Sequence, residues 1–445
     1  MQLKKNVFCA IAAMSLLGFQ AKAQKVEFTE YDLPNGLHVV LHNDSKAPVV
    51  AVTVMYHVGA KNEEVDHTGF AHFFEHLLFE GSDNIKRGEF MKIVSANGGQ
   101  NNANTTQDRT FYYEVFPSNQ LETGMWLESE RMMHPVINEV GVKTQNEVVK
   151  EEKRQSFDNR PYGNLVNVIA RDLFPKHPYR NGVIGSMKDL DAAKLDEFKA
   201  FFKKYYIPNN AVLTIAGDIN IEKTKQLVAA YFGPIPRGKD VIYKKIEEEP
   251  ITKQITDTAY DANAQIPFMI EAFRVPGRDT HESKVMQMIS SILSGGPSSR
   301  MYKKMVDEKK NALQVIAFNY ALEDYGMYIL GALPNGGADP GSLLPDMDEE
   351  IKKLQTDLIS PEEYQKLQNQ FENNFVSANT RMQGLAENLA NGYTFYHKDT
   401  GHVNKELAEI RSITREEIRD AARKYLNSNQ RLVLYYLPAK AKATK

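Results

Sequence analysis

Two stretches about half a chain apart follow the same pattern. Lys203-Lys-Tyr-Tyr-Ile-Pro-Asn-Asn-Ala-Val-Leu-Thr-Ile-Ala-Gly217 reads as a helix end, a turn and a buried strand. Arg423-Lys-Tyr-Leu-Asn-Ser-Asn-Gln-Arg-Leu-Val-Leu-Tyr-Tyr436 repeats it, with Tyr425 at the place of Tyr206, an offset of 219 residues. Each strand follows a charged helix, from Leu190 in the first copy, one turn longer, and from Ile413 in the second. A chain of 445 residues exceeds one ordinary core, so the repeat restricts it to two similar halves. Pro234, Pro236 and Gly238 open a polar stretch running to Pro250, which reads as the connection between them. Strands grouped with hairpin turns, such as Leu37–Leu41 after Asn35-Gly36 and the apolar run Val49–Val58, favour α+β with antiparallel sheets. The expected organisation is a leader at 1–23, a first domain at 24–236, a linker at 237–256, a homologous second domain at 257–438 and a tail at 439–445.

Composition narrows the function classes. Lys and Arg number 54 and Asp and Glu 57, a net charge of −3, which gives no electrostatic case for a nucleic-acid binder. At the start, Lys4 and Lys5 precede the apolar run Val7–Phe19, and Ala21-Lys22-Ala23 has the small-x-small form of a cleavage site. The run is too short for a spanning helix, so an exported chain is expected, with the periplasm as its default destination. Cleavage after Ala23 removes three lysines, taking −3 to −6, and removes Cys9, the only cysteine. The mature chain then has no disulfide to form. The basic tail Lys440–Lys445 reads as a frayed terminus.

The sharpest chemical feature is His72-Phe-Phe-Glu-His76, in an apolar stretch without Gly or Pro after Gly69. On a helix, positions i and i+4 share a face, so both imidazoles can address one metal ion, with Glu75 on the same side. This is the inverted form of the zinc-protease His-Glu-x-x-His motif. A charged Glu75 in an apolar helix also needs a compensating partner. A catalytic zinc takes three protein ligands and keeps one position open. The third is sought on the helix Gln145–Arg154, where composition leaves Glu147, Glu151 and Glu152 open. His38 and His42 have the same spacing but lie in an alternating strand, and are expected on its solvent side. His57, His67, His134, His177, His281, His397 and His402 have no ligand spacing.

Taken together, these residues resemble the pitrilysin and mitochondrial-processing-peptidase family of zinc peptidases, bacterial two-domain type. The resemblance runs through Val148–Glu152, Gly98–Thr105, Asp108, Tyr112-Tyr113 and Ser294–Arg300, and so covers nearly the whole mature chain. It implies a zinc metalloendopeptidase hydrolysing peptides or short unfolded segments inside two bowl-shaped halves. It assigns one zinc per chain to His72, His76 and Glu152, and makes Glu75 the general base. It places substrate on an edge strand at Asn102, Ala103, Asn104 and Thr105, binding through main-chain hydrogen bonds. Where relatives often carry a further acid, this chain has Gln145, and Glu147 is the candidate replacement. In the second half, Met286, Ile289 and Ser290 fall where His72, Glu75 and His76 stand. The family's arginine and tyrosine, which bind the scissile carbonyl and its oxyanion, fall at Val306 and Leu313. Neither can donate a hydrogen bond, and one lost oxyanion donor costs about 10²–10³ in turnover. The expectation is therefore the zinc-bearing subunit of a heterodimer whose partner supplies the Arg/Tyr pair. The alternatives are a self-sufficient homodimer using Arg300, Tyr302 or one of Lys303, Lys304, Lys309 and Lys310, and a non-catalytic scaffold.

Overall fold

The computed structural model describes residues 25–439. The expected leader, Met1–Ala23, and the basic tail, Lys440–Lys445, lie outside the described residues. The fold is α+β, built on two sheets. The first contains β1 (Thr29–Asp32), β2 (His38–Asn43), β3 (Val49–Tyr56), β4 (Gln100–Thr105), β5 (Thr110–Pro117) and β6 (Ala211–Gly217). Their order is β1-β2-β6-β3-β5-β4. The second contains β7 (Ile255–Asp261), β8 (Phe268–Pro276), β9 (Ala312–Ala321), β10 (Tyr325–Pro334) and β11 (Arg431–Pro438), in the order β7-β11-β8-β10-β9. In each sheet one pair is parallel, β2 with β6 and β7 with β11, and all other neighbours are antiparallel. Without β1 the two sheets have one topology, which is the duplication seen in the sequence.

The helices that position the site are α1 (Phe70–Leu77), α2 (Glu139–Lys153), α3 (Leu165–Leu173), α4 (Leu195–Tyr205), α5 (His281–Ser294), α6 (Met382–Phe395) and α7 (Arg415–Tyr425). The paired helices α4 and α7 have 11 residues each. The extra turn expected from Leu190 is instead a separate helix, Met187–Ala192, because Ala193 and Lys194 are extended. The stretch expected as a linker, 237–256, has no regular structure until β7 starts at Ile255. Among the described residues, no helix is long and apolar enough to cross a membrane.

The halves exchange helices. On one face of the second sheet, Phe268, Ile270, Ala272, Ile329, Leu432 and Leu434 pack against Leu165, Ile169 and Leu173 of α3, which belongs to the first half. On one face of the first sheet, Val40, Met55, Phe111 and Val212 pack against Leu385, Leu389 and Phe395 of α6, from the second half. The opposite faces hold each half's own core, with Val39, Val52, Val54 and Phe73 in the first and Met269, Phe273 and Met286 in the second. Strands buried on both faces read as nearly continuous apolar runs, and Val49–Tyr56 and Phe268–Pro276 are of that kind.

This exchange overturns one expectation. His38 and His42 are buried, not on the solvent side of β2. The imidazole of His38 stacks on Tyr393 of α6 with ring centroids 3.6 Å apart and lies 2.8 Å from Asp32 Oδ1. His42 Nδ1 is 2.6 Å from the Glu27 carbonyl. The face that would meet water in an isolated half is covered here by the other half.

Candidate metal centre

Helix α1 starts at Gly69, whose φ of +92° is left-handed. A Cβ there would lie 2.7 Å from the Ile184 carbonyl oxygen, so the site requires glycine. Two carboxylates hold this helix start. Glu63 accepts from the Gly69 and Ala71 N–H groups at 2.7 and 2.8 Å, and Asp189 accepts from the Thr68 hydroxyl at 2.5 Å. Such orphan donors need partners at a helix N-terminus. Phe70, Phe73, Phe74 and Leu77 face the first core, leaving His72, Glu75 and His76 on the side that meets α2 and β4.

The structure brings together His72, His76 and Glu152, with one donor atom of each lying within 4.8 Å of the others. His76 Nε2 is 3.0 Å and His72 Nε2 3.6 Å from the two oxygens of Glu152. Hydrogen bonding from His72, then from His76, holds the Glu152 carboxyl well below the usual carboxylate range despite its partial burial. The other two candidate acids on α2 point elsewhere. Glu151 is exposed and binds Arg154 and Gln155. Glu147 is exposed and pairs with Lys150 at 3.3 Å, so it does not replace the family's missing acid. Gln145 instead donates to Glu80 Oε1 at 2.5 Å, tying α2 to the turn after α1, and Arg87 also binds Glu80. Among the described residues, His72 Nδ1 and Gln145 Oε1 are buried polar atoms without a hydrogen-bond partner. Two imidazoles and one carboxylate are the donor set of a catalytic zinc site, so these residues suit that ion. Among the described residues it is the one such cluster of three.

Glu75 is half-buried, and its Oε2 accepts from the Thr105 hydroxyl at 2.7 Å. Thr105 ends β4, the edge strand of the first sheet, which also holds Asn102, Ala103 and Asn104. The Ala103 N–H donates to Asn102 Oδ1 at 2.9 Å, and Asn104 Oδ1 accepts from Arg109 at 2.6 Å. Arg109 also binds Glu387 of α6, so the second half steadies the turn after β4. That turn is fixed again by Asp108, which is fully buried. Asp108 accepts from Tyr179 at 2.6 Å and from the Glu323 N–H at 2.9 Å, and lies 3.2 Å from Lys61 Nζ. Lys61 also reaches Glu323 and Asp324 at 2.6 and 3.2 Å, while His57 and His177 pair with the same two acids at 2.8 and 3.1 Å. Sequence spacing gave no sign of the roles of Glu80, Asp108 or Lys61, whose partners Gln145, Tyr179 and Glu323 lie far along the chain, nor of Glu63, which reaches the start of α1 outside any capping spacing.

In the second half, α5 places Met286, Ile289 and Ser290 in buried positions, with the Ser290 hydroxyl donating to the Met286 carbonyl. Val306 packs on the second core, and Leu313 is exposed at the start of β9. The proposed substitutes are largely engaged within their own half. Arg300 holds Glu363 with two bonds of 3.0 and 2.7 Å, Lys304 pairs with Glu349 at 2.7 Å, Lys309 binds Asp346 at 2.5 Å, and Tyr302 packs on the second core.

Known proteins share this architecture. A zinc protease of Helicobacter pylori, PqqE, is 28% identical over 87% of this chain and 89% of its own length. The crystal structure of a protease from Helicobacter pylori superposes with a TM-score of 0.89 at 26% identity, covering 93% of this chain and all of that one. Pitrilysin superposes with a TM-score of 0.77 at 18% identity, covering 95% of this chain but 46% of pitrilysin. The family model for insulinase (peptidase family M16) matches residues 38–186, and that for the peptidase M16 inactive domain matches 192–371. With most of its length matched by these two models, the chain belongs to the M16 peptidase family.

Proposed function

We propose that this chain is a zinc-dependent peptidase that hydrolyses peptides or short unfolded segments, working as the zinc-bearing subunit of a heterodimer. The observation that carries this reading is the convergence of His72, His76 and Glu152 with Glu75 beside them. His72, His76 and Glu152 would hold one zinc ion per chain. When bound, zinc acidifies water and polarises the scissile carbonyl. Glu75 takes a proton from the attacking water onto a carboxylate oxygen and passes it to the nitrogen of the leaving amine. Proton transfer of this kind contributes about 10²–10⁴ in rate. The substrate backbone pairs with β4 at Asn102–Thr105, so recognition depends weakly on sequence.

The need for a partner rests on Val306 and Leu313, which offer no donor for an oxyanion, and on the carboxylates that already hold Arg300, Lys304 and Lys309. Coverage of only 46% of pitrilysin supports a complete enzyme made of two such chains. The two homologous domains are assigned to 24–236 and 257–438, and the leader sends the chain to the periplasm. The test is metal analysis of the purified chain, then peptide cleavage by the chain alone and with a homologous subunit bearing the Arg/Tyr pair. One zinc per chain and strong cleavage only in the mixture are expected. Absence of zinc would instead indicate a scaffold, and full activity from the chain alone would remove the partner.

A further inference from the structure

We infer that Thr105 is a positioning residue for Glu75, so that the strand receiving the peptide also sets the orientation of the base. This rests on the reading of Glu75 given above. Glu75 has three side-chain torsions and is only half-buried, so packing alone leaves it free to change rotamer. Among the described residues its hydrogen-bond partner is the Thr105 hydroxyl, at 2.7 Å from Oε2. The hydroxyl has one proton to give, so Oε2 is fixed while Oε1 keeps its lone pairs. A hydroxyl–carboxylate bond is of the stronger, charge-assisted kind.

Thr105 is itself held in place. It pairs with Thr110 across the β4–β5 hairpin, and the next residue closes the turn, with Thr106 N–H donating to the Arg109 carbonyl at 2.8 Å. The Asp108 and Arg109 N–H groups each donate to Thr106 Oγ1 at 3.2 Å. Asp108 and Arg109 are in turn bound to the second half. The hydroxyl therefore sits on a braced corner between two halves, at the end of the edge strand of the first sheet. A peptide seated on β4 and a base hung from β4 keep a constant relation, which is the requirement for a near-attack geometry.

The test uses the full zinc-loaded chain with its complementing subunit, comparing wild type, T105V, T105S and E75Q. Valine keeps the shape of threonine and removes the donor, whereas serine keeps the donor. T105V should lower kcat by about 10- to 100-fold, with KM and zinc content changed less than about twofold, and T105S should keep most of the wild-type kcat. A T105V chain with normal kcat, or one in which KM alone rises, overturns the inference. An undiminished E75Q overturns the assignment of Glu75 itself and so separates the two failures. Crystal structures of wild type and T105V give a readout without activity. Glu75 should leave its wild-type rotamer in T105V, and an unmoved Glu75 also overturns the inference.

Discussion

Replacing Lys61 by methionine removes one charge from a cluster of ion pairs that joins the halves. The Lys61 side chain is 8% exposed, and its ammonium lies within 3.2 Å of three carboxylates, on Asp108, Glu323 and Asp324. Methionine keeps the apolar stem and leaves Asp108, with no exposed surface, without its cation. Removing one partner of a buried pair costs about 3–5 kcal/mol, because the other charge stays buried. The Tyr179 hydroxyl and the Glu323 N–H still serve Asp108, which favours the lower end. Unfolding entropy of about 2.1 cal/mol/K per residue, over roughly 400 residues, gives about 0.8 kcal/mol/K for a single cooperative transition. At that lower end the melting temperature should fall by about 4 °C in calorimetry, as one transition. The sign of the pH dependence is a second check. Burial raises the Glu323 and Asp324 carboxyls, while their histidine partners and Lys61 hold them below the usual range. Without Lys61 their folded pKa values rise, so the penalty should shrink as pH is lowered from 7 toward 5. A shift under about 1 °C, or two transitions of which only one moves, would refute the view that this cluster locks the halves into one unit.

Other outcomes follow from the same geometry. E152Q should lose zinc, by more than the 10–100-fold usual for a residue that merely supports a ligand, whereas E75Q should keep zinc and lose about 10²–10⁴ in turnover; metal analysis beside peptide cleavage distinguishes them. I169A should cost about 2–5 kcal/mol and lower hydrogen-exchange protection in β8 and β11, although Ile169 belongs to the first half; unchanged protection there would contradict the exchanged packing. Burial pushes the Asp324 carboxyl up, yet the hydrogen bond from His177 and the charge of Lys61 prevail and hold it at about 2. Its folded pKa is therefore depressed, so its stabilisation is present above about pH 4 and lost as pH falls toward 2. Denaturant titrations from pH 5 to 2 should show that loss in the wild type and a shallower one in D324N.

Local rules were enough for much of this molecule. Residue type and spacing alone defined the α+β class, the duplicated helix–strand unit and the placing of His72, Glu75 and His76 on one helix, because periodicity is a property of neighbouring residues. The third acid was different. Glu147, Glu151 and Glu152 are equivalent in composition, and only the packing of α2 on α1 turns Glu152 inward while Glu147 and Glu151 face water. His38 and His42 show the same limit in reverse. The alternation of β2 defines two faces, but which face meets water depends on α6, more than 330 residues away along the chain. Thr105 stood in the sequence as part of a polar edge strand, and the fold gave its hydroxyl to Glu75. Contacts between distant segments depend on how helices are exchanged between sheets, and one sequence, read locally, does not encode which partner covers a strand.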